Sequence, residues 1–105
     1  MIEVDKMYDF LPGIDQQAYA EYSRRALAAL LKLPGLCEIR SYRNLLGSPQ
    51  VRLTLIFETL ADWANFGDSP ERHQLDAELR KYTPGFTIQL WAPSPAVPQP
   101  LRPAR

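Results

Sequence analysis

Lys6 and Tyr8 stand two apart in Ile2 to Phe10, a stretch whose residues alternate in character, so an ammonium and a phenol project from one side of one strand. Ile2, Val4 and Phe10 share that side, where a closed core would take apolar groups throughout. Trp63 and Phe66, three apart in a helical stretch, point to one face. If these four side chains line one space, a flat aromatic ligand with an acidic hydroxyl suits it. The rings stack, and the ammonium favours the ionised oxygen. An ionised phenol or hydroquinone is also the electron-rich form that reacts with dioxygen unaided. Each residue has a plainer account as well. Lys6 can snorkel to the sheet edge, Tyr8 can bond a backbone carbonyl, and Trp63 and Phe66 can simply fill the core. Both accounts stay open at this level.

Other chemistry finds less support. His73 lies about 200° round its helix from Leu75 and about 180° from Tyr82, so it points away from the apolar stripe and is expected in solvent. Cys37 is the lone cysteine; it closes no intramolecular disulfide, and its alternating context predicts a small buried core residue. No GxGxxG or GxxxxGK[ST] occurs, which argues against a dinucleotide or P-loop nucleotide site. One histidine and one cysteine supply no zinc-ligand spacing. No cofactor and no metal are expected. Glu38, Arg40 and Arg52 are expected as cross-strand salt links on the sheet face opposite Lys6.

The elements that must position these residues follow from periodicity. Ile2 to Phe10 reads as a first strand; Pro12-Gly13 turns the chain, and Asp15 caps a helix predicted to run to Leu33. Tyr19, Tyr22, Ala26, Leu30 and Leu33 form its buried stripe; Gln17, Glu21, Arg24, Ala28 and Lys32 form its wet one. Glu21 and Arg25 have the spacing of a favourable helical pair. Leu36 to Leu45 alternates as a second strand with Cys37 and Ile39 on one side. Gly47 to Pro49 turns it into Val51 to Glu58, the most apolar strand, in which Val51, Leu53, Leu55 and Phe57 share the drier side. Thr59 caps a helix that meets Gly67, and Ser69-Pro70 starts another, with Leu75, Leu79 and Tyr82 as its stripe. Phe86 to Trp91 alternates as a last strand.

The order is β, α, β, β, α, β, a split βαβ arrangement and therefore an α+β ferredoxin-like sandwich with both helical segments on one face. Residues 1–92 are expected to form this domain. Residues 93–105 hold five of the ten prolines and are expected to be an extended or disordered tail. The opposite sheet face carries Met7, Tyr42, Ile56 and Trp91 among charges, too apolar for water, and is expected to meet a second copy in a homodimer.

Twelve basic and twelve acidic residues balance, which argues against nucleic-acid or anionic-membrane partners. MIEVDKM carries charge where a secretory signal would be apolar, and the longest apolar run, Ala26 to Leu31, is too short to span a bilayer. The cytoplasm is the expected compartment.

LPG at Leu33 to Gly35, IFET at Ile56 to Thr59 leading into ADW, and SPER at Ser69 to Arg72 resemble the antibiotic-biosynthesis monooxygenase family of dimeric α+β barrels. That family includes cofactor-free aromatic monooxygenases and haem-degrading monooxygenases. The resemblance implies two sheets packed into a shared barrel, with a ligand pocket in each subunit between the helices and the sheet. It also implies oxidation of a small aromatic or polycyclic substrate without metal or flavin, in a pocket where Lys6, Tyr8, Trp63 and Phe66, placed by the strand and helix faces, are the expected binding residues. A non-catalytic ligand-binding or accessory homodimer is the alternative. The haem-degrading branch has an asparagine on the first strand, a tryptophan on the second helix and an iron-binding histidine ten residues further on. Trp63 and His73 have that spacing. A gapless register through IFET and SPER instead places the three positions at Lys6, Phe66 and Asp76, which departs from the pattern throughout and argues against haem.

Overall fold

Asp15, Thr59 and Ser69 each sit in extended backbone just ahead of a helix, and their side-chain oxygens accept from the amides of Ala18, Asp62 and Arg72. Those bonds satisfy amides that no helical carbonyl reaches, which is why the helices begin where they do. The computed structural model describes residues 1–104; Arg105, the last residue of the expected tail, lies outside the described residues. Strand β1 is Ile2–Tyr8, followed by α1 Gln16–Leu30, β2 Leu36–Arg43 and β3 Val51–Phe57. Helices α2 Leu60–Gly67 and α3 Pro70–Leu79 then lead to β4 Phe86–Trp91. The four strands form one antiparallel sheet in the order β2-β3-β1-β4, the ferredoxin-like arrangement that the alternation predicts.

Register decides which side chains meet. Val4, Lys6 and Tyr8 pair with Leu55, Leu53 and Val51 of β3 on one flank and with Leu90, Ile88 and Phe86 of β4 on the other. Directly paired residues share a face, so Lys6 stands in the middle of the helix-covered side with strands on both flanks. Two apolar clusters fill that side. One gathers Tyr8, Tyr19, Tyr22, Ala26, Val51 and Leu79, the other Val4, Leu30, Leu55, Phe57 and Phe66, and Leu75 packs against both.

Several local expectations are corrected. Helix α1 stops at Leu30 rather than Leu33: the amides of Lys32 and Leu33 bond the carbonyls of Ala29 and Leu30, three residues back, as the turn tightens before Pro34. Arg25 bonds Glu78 of α3 at 3.1 Å instead of Glu21, because a bidentate carboxylate on the neighbouring helix is the better partner. Cys37 is exposed, not buried. Strand β2 shifts register between Leu36 and Glu38, leaving Cys37 as the extra residue of a β-bulge with its thiol turned to the Gly35 carbonyl. Arg40 pairs with Glu38 on its own strand; only Arg52 makes the expected link across strands, to Asp5 at 3.4 Å.

The three sequence motifs turn out to be mostly joints. Gly35, at φ +78°, lies against Asp62 so closely that a Cβ there would fall 2.2 Å from its carboxyl carbon, and its carbonyl accepts from the Glu58 amide. Only glycine meets both demands, so LPG and the start of ADW lock the β2 and α2 ends together. On the open side of the sheet Asp5 is buried, bonded by the Thr54 hydroxyl at 2.6 Å, while Tyr42 and Trp91 are 42% and 52% exposed. Ile56, expected on this side, is only 6% exposed. After Trp91 the described residues of the tail are exposed, with a single turn closed by the Val97 amide on the Ser94 carbonyl.

Candidate functional site

Between α1, α2, α3 and the sheet lies a cavity of about 90 Å³, and Lys6, Tyr8, Trp63 and Phe66 all line it. Strand β1 supplies the first two because alternate residues of one strand face one way; α2 supplies the others because residues three apart share a helical face. The four residues singled out from the sequence are therefore brought together.

Their polar groups are not idle in that space. The Lys6 ammonium forms an ion pair and hydrogen bond with Asp76 of α3, whose side chain is 7% exposed. Asp76 lies seventy residues further along the chain, and the sequence reading weighed it only as a departure from the iron-binding histidine. Arg72, one turn earlier on α3, reaches the other Asp76 oxygen at 3.3 Å. It also donates to the Gly67 carbonyl at 3.1 Å and lies over the Trp63 ring at 5.3 Å. Asp76 thus sits between two cations, and both Arg72 and Asp76 line the cavity beside Lys6. The i,i+4 spacing of Arg72 and Asp76 is the one sequence signal by which they could have been found.

Lys6 does not snorkel. Its ammonium stays 4.4 Å from the centre of the Phe86 ring, which Arg80 covers at 4.9 Å. Burial pushes its pKa down, outweighing the attraction of Asp76, and the positive charges of Arg72 and Arg80 push the same way. Tyr8 bonds the Tyr19 hydroxyl at 2.5 Å rather than a backbone carbonyl. Burial raises the pKa of Tyr8, and its bond to Tyr19 adds to the shift. Tyr22 donates to the Leu75 carbonyl at 2.9 Å, and burial followed by the charge of Asp76 raises its pKa too. Phe66 lines the cavity but also stacks on Phe57 with ring centres 6.4 Å apart, so it belongs equally to the core.

Size sets a limit. At about 90 Å³ the space is smaller than the ~150 Å³ apolar cavity that takes up one benzene, so a ring enters only if half-buried lining such as Trp63 and Arg72 gives way. A polycyclic ligand does not fit this state. His73 is exposed and lines no part of the cavity. Among the described residues no group of three or more histidine, cysteine or carboxylate side chains is placed to hold a metal, and no helix is long and apolar enough to cross a membrane.

No protein-family model matches the sequence, and neither does any curated protein. Solved structures match the fold. A DABB family protein with a ferredoxin-like fold from Mesorhizobium loti superposes with a TM-score of 0.75 at 11% identity, over 89% of this chain and 96% of that one. SnoaB, a cofactor-independent oxygenase from Streptomyces nogalater, gives 0.74 at 10% identity, over 93% and 97%. The chain has the fold of the antibiotic-biosynthesis monooxygenase-like proteins. A hydroxynitrile lyase from Passiflora edulis shares it too, with a TM-score of 0.72 at 13% identity over 86% and 90%, so the ferredoxin-like frame carries more than one reaction.

Proposed function

We propose that this chain is a cofactor-independent monooxygenase of a small aromatic substrate, working in the cytoplasm as a homodimer. The observation that carries the reading is the Lys6–Asp76–Arg72 cluster set into the wall of a cavity otherwise lined largely by aromatic and aliphatic side chains. A few convergent polar groups in an apolar pocket are the mark of a site that orients a ligand. The substrate itself is the reductant: one atom of dioxygen ends in a new carbonyl at a ring carbon, and the other leaves as water with that carbon's hydrogen and the hydrogen of the phenolic hydroxyl. The protein contributes orientation and a dry, polar wall against which the substrate's hydroxyl is held. The resemblance of LPG, IFET and SPER to the monooxygenase family, and the fold shared with a cofactor-independent oxygenase, support the reaction class.

The test is oxygen uptake alongside thermal shift, across single-ring phenols, catechols and quinols and tricyclic hydroxyanthrones. Uptake with single-ring substrates supports the reading; silence in both assays across the panel removes it. A non-catalytic ligand-binding homodimer is the second reading. It is favoured by the small cavity and by the fact that Lys6 and Tyr8 each already have an internal partner. Thermal shifts without oxygen uptake select it.

Both readings use the open sheet face, where Tyr42 and Trp91 are half-exposed and buried Ile56 pairs across strands with Glu3 and Glu38. Sedimentation of a micromolar solution as a monomer removes the homodimer. Trp91→Lys is the informative variant, because Trp91 is exposed in the single chain and its loss leaves the core intact.

A further inference from the structure

A lone buried ammonium selects an anion, but Lys6 is not alone. Asp76 already neutralises it from α3, so an incoming phenolate would be placed beside a carboxylate. The other charges around the pair do not restore an anion site. Arg72 is committed to the second Asp76 oxygen, the Gly67 carbonyl and the Trp63 ring, and solvent reaches it. Arg80 is exposed and lies over the Phe86 ring at 4.9 Å. From α1 the Tyr22 phenol lies near Asp76, with its hydroxyl donated to the Leu75 carbonyl, and Ser23 lines the same cavity; Glu78 is turned outward to Arg25.

Resting on the reading of this cavity as a ligand site, we infer that the Lys6–Asp76 pair is a receptor for an un-ionised hydroxyl, which donates to the Asp76 carboxylate while accepting from the Lys6 ammonium. The inventory of donors and acceptors leads there. An ammonium offers three hydrogens and a carboxylate about four acceptor sites, so each has capacity left after their mutual bond. A hydroxyl, being donor and acceptor at once, engages both without adding charge. The remaining polar side chains offer no competing ionic wall: Tyr8 and Tyr19 bond one another, and among the described residues no buried side-chain nitrogen or oxygen lacks a partner. The cavity volume restricts the rest of the ligand to at most one ring, admitted as Trp63 and Arg72 give way. The ligand class is thus a neutral single-ring phenol or cyclic alcohol, and the proton remains on the ligand when it binds.

The probe is 4-nitrophenol, whose hydroxyl titrates near neutrality and whose neutral and ionised forms have distinct absorption bands. Difference spectra and affinity are measured from below to about two units above its own pKa. The neutral band is expected in the wild-type complex, with affinity falling about tenfold per pH unit once the phenol ionises in solution, since only the shrinking neutral fraction binds. Asp76→Asn, which keeps a hydrogen-bonding group but removes the negative charge, is expected to reverse the preference and bind the ionised form. A wild-type complex showing the ionised band, or affinity that rises with pH, overturns the inference and leaves the ligand-site reading standing. If neither 4-nitrophenol nor any simple phenol or cyclic alcohol binds the wild type, both fall. Should Asp76→Asn fail to fold, the wild-type spectra and pH profile decide alone.

Discussion

Lys6→Met tests the pairing at the centre of the cavity. The alkyl stem is kept and one charge is removed, leaving Asp76 at 7% side-chain exposure with Arg72 as its remaining cationic partner. Removing one member of a buried ion pair costs about 3–5 kcal/mol because the other charge stays desolvated. Arg72 remains, so the lower end applies, about 3 kcal/mol. At roughly 4 °C per kcal/mol for a domain of this size, the melting temperature should fall by about 12 °C. Replacing both residues, as Lys6→Met with Asp76→Leu, removes the buried charges together and should recover most of that loss, since apolar packing replaces a buried pair at little or no cost. Thermal melts of the wild type, both single variants and the double variant complete a thermodynamic cycle. A Lys6→Met melting temperature within about 2 °C of the wild type would refute the reasoning, showing that the ion pair contributes nothing or that Arg72 replaces it entirely.

The raised pKa values of Tyr8 and Tyr22 mean that both phenols stay protonated in the folded chain above pH 10, where a free tyrosine ionises, and lose their protons when it opens. Folding therefore holds protons that the unfolded chain releases, so stability is full below about pH 10 and declines above it; ultraviolet titration should show these two of the five tyrosines ionising only with loss of near-ultraviolet dichroism. Gly35→Ala should cost about 3 kcal/mol, combining the positive φ with the contact on Asp62. Gly13→Ala, at φ +69° with open space around it, should cost only the backbone share, about 1 kcal/mol, and equal losses in denaturant melts would discount the contact. Haemin should give no stoichiometric Soret shift that His73→Ala abolishes, because His73 is exposed and Asp76, at the resembling position, is committed to Lys6 and Arg72; such a shift would mean that the Trp63–His73 spacing was the true guide.

The elements and their faces were legible because they rest on local rules. Asp15, Thr59 and Ser69 announced their helices, and the alternation through Val51 to Phe57 told which residues face the helices, though Thr54 and Ile56 on the other side are buried as well. Lys6, Tyr8, Trp63 and Phe66 could be placed on one space because strand and helix periods, with the resemblance, oriented them. Their partners could not be read. Asp76 joins Lys6, and Tyr19 joins Tyr8, only after α1 and α3 pack on the sheet, and nothing in spacing along the chain encodes that meeting. Arg25 failed in the same way, since a helical rule proposes Glu21 while packing offers Glu78. Cys37 failed for another reason: a bulge advances the strand by one residue without any turn-forming residue to announce it, and alternation counted through it reads the wrong side.

That bulge gives the chain a natural molecular ruler. Its single thiol is placed in solvent at the end of the sheet, within the same groove as Ile56 and Trp91 of the open face. A spin label or fluorophore can be attached at Cys37 with no competing sulfhydryl and no engineered substitution. Two labelled copies joined through the sheets would carry their labels across one two-fold axis, so a single narrow label-to-label distance would report how the copies are set against each other. Binding in the cavity on the opposite face could then be followed as a change in that distance.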